Sequence, residues 1–402
     1  MVTYVEVPEI EFKKIEGKST GYWAFVVIMA IIAAAGIIAW FDTYLHGHGS
    51  TAMNNRVPWG LLISGVAFGI GLSAGALHVF TILADAIQIP QFKPFSRIAP
   101  FVATLWIGAA LAYITMDIGK VDHMMNVVLH FNPTSIFAWN AFLYSSYIFI
   151  ALFYLLLKFE KRFLIARVVG IFAFTWAVAV HTGTGQIVGF VFSKGLYHSP
   201  MHGVIFVAAA ITSGIGGIIL MLYLTFRFTN RPLPTDLIRY LAKIMGVGAA
   251  VIAYIFICEI FTILYEPGLR ENAFFAWFSP FYFLLLWIIM ILIGTIIPII
   301  IIWNPKKEVR NSMNWLCFAG ILHVIGVWAE RYLVVVPGLQ VPEELLGGYE
   351  IVRPHYLASV VPYFPSLSEW LMFSGIIAAV LMVYALGIKY FALLPERAEG
   401  FE

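Results

Sequence analysis

Ten runs of apolar residues, each long enough to cross a bilayer, leave this chain little choice of solvent. A helix needs about 20 mostly apolar residues to span the hydrocarbon core. Runs of that size fall at 21–41, 58–87, 97–117, 134–157, 163–189, 202–228, 240–264, 276–303, 313–335 and 368–391. A water-soluble domain of this length keeps roughly a quarter of its residues charged. Here charged residues are 11% of the chain and hydrophobic ones 61%. Backbone polar groups in lipid must pair within their own segment, which makes the runs helices. The expectation is an all-α integral membrane protein of about ten transmembrane helices. It forms one polytopic membrane domain over 21–391, between an N-terminal segment (1–20) and a tail (392–402). The second run is long enough to tilt or to leave the membrane as helix.

The first segment carries Lys13, Lys14 and Lys18 but also Glu6, Glu9, Glu11 and Glu16. That is a poor signal-peptide n-region, so the first helix is expected to be retained. The net charge of +2, without a basic cluster interleaved with aromatics, argues against nucleic acid as a partner. Cys258 and Cys317 lie far apart in separate apolar runs and cannot hold a metal by themselves. Any iron–sulfur cluster must therefore belong to another polypeptide.

Basic residues orient the chain. All but six of its 24 Lys and Arg fall on the side of the N-terminus, the exceptions being Arg56, Lys120, Lys194, Arg270, Arg331 and Arg353. By the positive-inside rule both termini are cytoplasmic, in a prokaryotic cell membrane. His46, His48, His123, His130, His198, His202 and His355 collect on the opposite side. The longest connection, 336–367, carries five prolines on that same side and is expected to form an ordered lid.

Ionisable and polar groups within the spans narrow the chemistry, because each is costly in lipid. Ser64, Gly71, His78 and Asp85 recur every seven residues, a stripe that suits a proton path or helix–helix packing equally. Asn140, Tyr144 and Tyr147 share one face of the fourth helix. The run His181-Thr-Gly-Thr-Gly-Gln186 is unusually polar for a span, and its glycines let a flat ligand approach the backbone. Asp117 closes the third helix at the outer level. Glu259, Thr262 and Glu266 share a face of the seventh helix, and His323 and Glu330 lie seven apart in the ninth, with Arg331 next to Glu330. A quinone headgroup fits this distribution. Its two oxygens need hydrogen-bond partners, and its two-electron chemistry needs groups that exchange two protons.

The motifs resemble those of one family. Val57-Pro-Trp-Gly60, Gly69-Ile-Gly-Leu-Ser-Ala-Gly75, Asp117-Ile-Gly-Lys120 and Phe131-Asn-Pro-Thr-Ser135 follow in order. They are succeeded by His181 to Gly189, Tyr197-His-Ser199, Gly326 to Leu339 and Phe364 to Trp370. Together they are similar to the NrfD / polysulfide reductase membrane-subunit family, in its ten-helix branch, over residues 55–395. Membrane subunits of periplasmic hydrogenases and of sulfite-reductase-linked, multihaem cytochrome and molybdenum oxidoreductase complexes belong to that branch. The resemblance implies a haem-free quinone-reactive anchor with a ferredoxin-like iron–sulfur subunit on its outer face and a further catalytic subunit beyond it. It also implies two four-helix bundles, helices 2–5 and 6–9, related by a weak repeat, plus flanking helices. Lys120 stands where the family usually has Arg, keeping the charge without the planar fork. Ser73-Ala-Gly75 stands where some relatives have a histidine.

These readings assign quinone as the cofactor, of either menaquinone or ubiquinone type, with no haem or iron–sulfur cluster ligated by this chain. His181, Asp117 and Tyr144 are the catalytic candidates. Asn140, Tyr147, Trp59 and Thr184 are the quinone-binding ones, and His78, Asp85, Glu259, His323 and Glu330 the members of a proton path. Apart from lipid, the expected partners are the two redox subunits. Two alternatives stay open: a b-type cytochrome using His181 and His323, and a secondary transporter.

Overall fold

The structure, a computed structural model, describes residues 10–231, 233–342 and 359–396. The side chain of His78 and most of the expected lid, including Arg353, Pro354 and His355, lie outside the described residues.

Among the described residues ten helices are long and apolar enough to cross a membrane. They are α1 (Thr20–His46), α2 (Leu61–Phe80), α3 (Ile98–Asp117), α4 (Ile136–Phe159) and α5 (Phe163–Gly189). The second half comprises α6 (Met201–Phe228), α7 (Thr235–Tyr265), α8 (Pro280–Ile302), α9 (Met313–Val335) and α10 (Leu367–Tyr390). Ser19, Ser135 and Ser366 cap α1, α4 and α10 through their hydroxyls, each satisfying a backbone N–H that the first turn leaves open. Large apolar side chains such as Leu164, Phe228 and Tyr265 face outward almost fully exposed, which lipid tolerates and water does not.

Helices α2–α5 pack around one another in order, and α6–α9 repeat that arrangement. The two bundles meet through α2, which lies against both α6 and α9. Flanking the first bundle, α10 packs on α3 and α2, and α1 packs along α10. Strands β1 (Phe12–Lys13) and β2 (Leu394–Pro395) pair antiparallel, so the two ends of the chain meet on one face. That face is called proximal here and the other distal.

The small-residue patches at Ser64–Gly75 and Thr212–Gly217 form the seam between the bundles. A Cβ on Gly75 would stand 1.9 Å from the Ala210 carbonyl, and one on Gly214 2.3 Å from the Gly75 backbone. In lipid no hydrophobic effect drives helices together, and such close backbone contact supplies the packing energy instead. Gly71 also faces α6, toward Ser213. Part of the seven-residue stripe on α2 thus belongs to helix packing. Beyond Phe80 the helix widens into a π turn, Thr81–Ala86, which carries Asp85.

Candidate functional site: a distal polar cluster in each bundle

The polar run on α5 meets the polar stripe on α4 at the distal end of the first bundle. Asn140 Nδ2 donates to the carbonyls of Ile136, at 2.8 Å, and Gly183, at 3.0 Å. Since both partners are carbonyls, the amide orientation is fixed and Oδ1 is the acceptor. This oxygen is buried and finds no hydrogen-bond partner among the described residues. Gly183 is required for the approach, because a Cβ there would stand 2.8 Å from Oδ1. The Tyr144 hydroxyl lies 2.8 Å from Thr184 Oγ1, which itself donates to the Val180 carbonyl at 2.6 Å. Tyr144 is therefore the donor in that pair, and its oxygen keeps lone pairs. His181 Nδ1 donates to the Ala177 carbonyl at 2.9 Å, which places a proton on that nitrogen.

The remaining first-bundle candidates lie on α2, α3 and α4 and the segment entering α2. Trp59 packs on Phe137 of α4, with ring centroids 5.6 Å apart. Tyr147 is fully buried one turn deeper, beside Ser73 of α2. Asp117 ends α3, where Gly119 turns the chain with φ +69 and a Cβ would meet the His48 ring at 2.8 Å. Asp117 Oδ1 is buried without a hydrogen-bond partner among the described residues. Electrostatically, Asp117 is within reach of Glu369 on α10.

Glu369 was not among the expected site residues. It is completely buried, and its carboxylate accepts from the Tyr363 hydroxyl and from the backbone N–H groups of Ala52 and Ser366, both at 2.9 Å. The Tyr363 oxygen in turn accepts from the Leu61 N–H at 2.9 Å. Burial, reinforced by the neighbouring carboxylate, pushes the Tyr363 phenol well above its ordinary range. One side chain thus ties the start of α10 to the chain entering α2. A Ser-x-x-Glu capping box is legible at Ser366–Glu369, but its tertiary reach is not.

The proton-path candidates fall into two regions. Glu259, His323 and Glu330 belong to the second bundle. Glu259 accepts from Ser199 Oγ at 2.9 Å and, with Glu330, Tyr197 and His202, lines a cavity of about 100 Å³. Both ring nitrogens of the buried His202 lack a partner of ordinary geometry among the described residues. Glu330 also borders a second void of about 20 Å³ that reaches His323. His323 Nδ1 donates to the Gly294 carbonyl at 2.8 Å. Arg331, fully buried, pairs with Glu330 at 3.2 Å and lies over the Phe206 ring at 3.7 Å. Asp85 sits in the first bundle at the proximal end, bound to Tyr154 and Lys158. The backbone of His78 is on α2. His181 and His323, the pair required for a haem, stand in different bundles, each bonded to a backbone carbonyl.

Eight membrane-spanning helices in two like bundles, two more flanking them, and buried polar clusters at the distal ends define a polytopic integral membrane protein. The family model described as "Polysulphide reductase, NrfD" matches residues 49–343, and the chain belongs to that family. It is 46% identical to the Hdr-like menaquinol oxidoreductase integral membrane subunit of Archaeoglobus fulgidus, over 97% of this chain and 98% of that protein. It is 24% identical to the C subunit of the selenate reductase of Mesobacillus selenatarsenatis, over 93% and 95% respectively. The integral membrane subunit of the menaquinone reductase of Nitratidesulfovibrio vulgaris is 23% identical over 90% of this chain and 90% of its own length.

Proposed function

We propose that the chain is the quinol-reactive membrane subunit of a multisubunit oxidoreductase. It takes two electrons and two protons from a menaquinol-type quinol at the distal end of the first bundle and passes the electrons to an iron–sulfur partner on that face. A further catalytic subunit completes the complex, the distal face is external, and both termini are cytoplasmic, as the distribution of Lys and Arg favours.

Two buried acceptors without partners, Asn140 Oδ1 and Asp117 Oδ1, carry this reading. Unmatched buried polar atoms cost about 1–3 kcal/mol each, and a quinol presents two O–H donors that relieve such a cost. The Tyr144 oxygen adds further accepting capacity, so the cluster as arranged suits the reduced form better than the quinone. The name of the Archaeoglobus relative supports menaquinol as the substrate class. In this scheme Asp117 takes a proton as the quinol is oxidised, Asn140 orients the headgroup, and His181 and Tyr144 hold the α4–α5 wall. Trp59, Tyr147 and Thr184 complete the quinone-binding residues in this reading.

In the second bundle, Glu330 borders both voids and thereby relates His323 to Glu259 and His202 at the distal surface. A void of about 20 Å³ holds about one water molecule. We read these groups as a proton route, with coupling to translocation as its consequence. The decisive measurement is menaquinol-analogue-driven turnover of the purified complex carrying Asp117→Asn or His181→Ala. Loss of turnover is expected, and full turnover in both variants would make the assigned site wrong. In proteoliposomes, Glu330→Gln is expected to abolish internal pH change while electrons still flow.

A further inference from the structure

A cavity of about 550 Å³ opens at the proximal face of the first bundle, far from the groups assigned to quinol. Its charged lining is one-sided: Lys93, Arg97, Lys158, Lys161 and Arg167 surround it, with Asp85 as the single carboxylate among the lining residues. Asp85 is already committed to Lys158 and Tyr154. Lys158 and Arg97 are 4% and 9% exposed and form the inner wall, Lys93 is half-buried, and Lys161 and Arg167 are exposed at the rim. Cations drawn out of water need a counter-charge, and with Asp85 taken by Lys158 the described lining holds no second carboxylate for Lys93, Arg97 or Arg167.

The cavity's depth and its neighbours indicate what carries that counter-charge. Asp85 and Lys158 come from helix segments that end at the proximal surface, and Phe163 begins α5 there, so the cavity lies at headgroup level. Phe163 and Leu164, which line one side, are 64% and 78% exposed to the surroundings of the bundle. A ligand in this position meets basic groups inward and an apolar, lipid-facing lip outward. The volume lies within the range of small-molecule pockets, roughly 300–1,000 Å³. Guanidinium groups recognise phosphate oxygens in pairs, and ammonium groups add point charges.

We propose that this cavity is a binding site for a phosphate-bearing anion, supplied by the headgroup of an acidic membrane lipid whose acyl chains leave past Phe163 and Leu164. The lipid would lock the ends of α2, α4 and α5 together at the proximal face.

The test is native mass spectrometry of the full-length protein in detergent, titrated in separate arms with phosphatidylglycerol, phosphatidylcholine and inorganic phosphate. Lys93→Gln/Arg167→Gln is the primary variant: Arg167 is exposed at the rim, where it donates to the Ala86 carbonyl, whereas Arg97 is buried and holds the Ala392 carbonyl. One phosphatidylglycerol per chain is expected to bind tightly, and about tenfold or more weaker in the variant. Lys93→Arg/Arg167→Lys should restore it, which separates loss of charge from loss of fold. Lys306→Gln/Lys307→Gln, which removes exposed charge from the same face, should change nothing. Phosphatidylcholine retained as strongly as phosphatidylglycerol, equal weakening in the Lys306/Lys307 control, or no weakening in the primary variant would overturn the proposal. Binding of inorganic phosphate, lost in the primary variant and without a phosphatidylglycerol adduct, keeps the anion site and overturns the lipid as its source.

Discussion

Glu369→Ala tests whether one buried carboxylate fastens α10 to the first bundle. The wild-type carboxylate satisfies three donors: the Tyr363 hydroxyl and the N–H groups of Ala52 and Ser366. Removing it strands donors at a site with no solvent exposure, at about 1–3 kcal/mol per orphaned group. Tyr363 can rotate toward another acceptor and Ser366 can fray toward solvent, so the full sum is not realised. The expected loss is about 3–6 kcal/mol, which includes roughly 1 kcal/mol for the broken capping box. Glu369→Gln keeps the volume and one acceptor oxygen, and trades charge-assisted bonds for neutral ones at about half their strength. It should cost about 1–3 kcal/mol. Thermal unfolding followed by tryptophan fluorescence reads the change directly, since Trp370 adjoins the site in sequence. The exposed Glu266→Ala provides the reference for a carboxylate with no side-chain hydrogen bond among the described residues. If Glu369→Ala came within about 1 kcal/mol of Glu266→Ala, the typical size of a point-mutation effect, the hub would be an ordinary cap and its tertiary bonds would contribute nothing.

Three further outcomes follow from the packing and the charges. Gly75→Ala drives a methyl group into the Ala210 carbonyl and should destabilise the protein by about 1–3 kcal/mol. Gly108→Ala, where nothing lies within 4 Å, should be neutral or slightly stabilising in the same denaturation assay, and equal effects would refute the seam. Asp85→Asn alone should cost about 3–5 kcal/mol by leaving Lys158 buried and unpaired, whereas Asp85→Asn/Lys158→Gln should recover much of that, and an additive cycle would deny the pairing. Because the Tyr363 phenol is raised in the folded state, folding favours its protonated form. Its contribution is whole below the unfolded tyrosine value of about 10 and fades as the pH rises beyond it. Unfolding temperatures measured across that range should fall less steeply in Tyr363→Phe than in the wild type.

The spans were legible because lipid imposes a signal on every turn of a helix. The two-bundle arrangement came from the motif series, and the packed helices reproduce it. The contact surfaces were harder to read, for a physical reason. Gly75 and Gly214 meet because neither has a side chain, so nothing in either residue names its partner; each patch was visible, their mutual contact was not. On α4 and α5 the spacing of Asn140 and Tyr144 and the polar run from His181 announced a shared face. The structure adds that Gly183 lets Asn140 in, and that the Tyr144 proton goes to Thr184, whose own goes to the Val180 carbonyl.

The stripe on α2 shows how a regular spacing can mislead. Ser64, Gly71, His78 and Asp85 share one face only if the helix keeps its pitch. The π turn at Thr81–Ala86 adds a residue to its turn, and one residue corresponds to roughly 100° of helical rotation. Gly71, before the turn, faces α6, while Asp85, within it, reaches Tyr154 and Lys158 on α4. Lys158 in turn read as one more positive-inside residue, since its charge agreed with its neighbours and gave no hint of a buried partner 73 positions earlier. The same break in pitch that takes Asp85 off the stripe delivers it to the basic cavity. Loss of the π turn, by deletion of one residue between Thr81 and Ala86, would therefore unpair Lys158 and disturb the anion site while leaving the distal acceptors Asn140 and Asp117 in place. A single change at the proximal end of α2 thus separates the two sites.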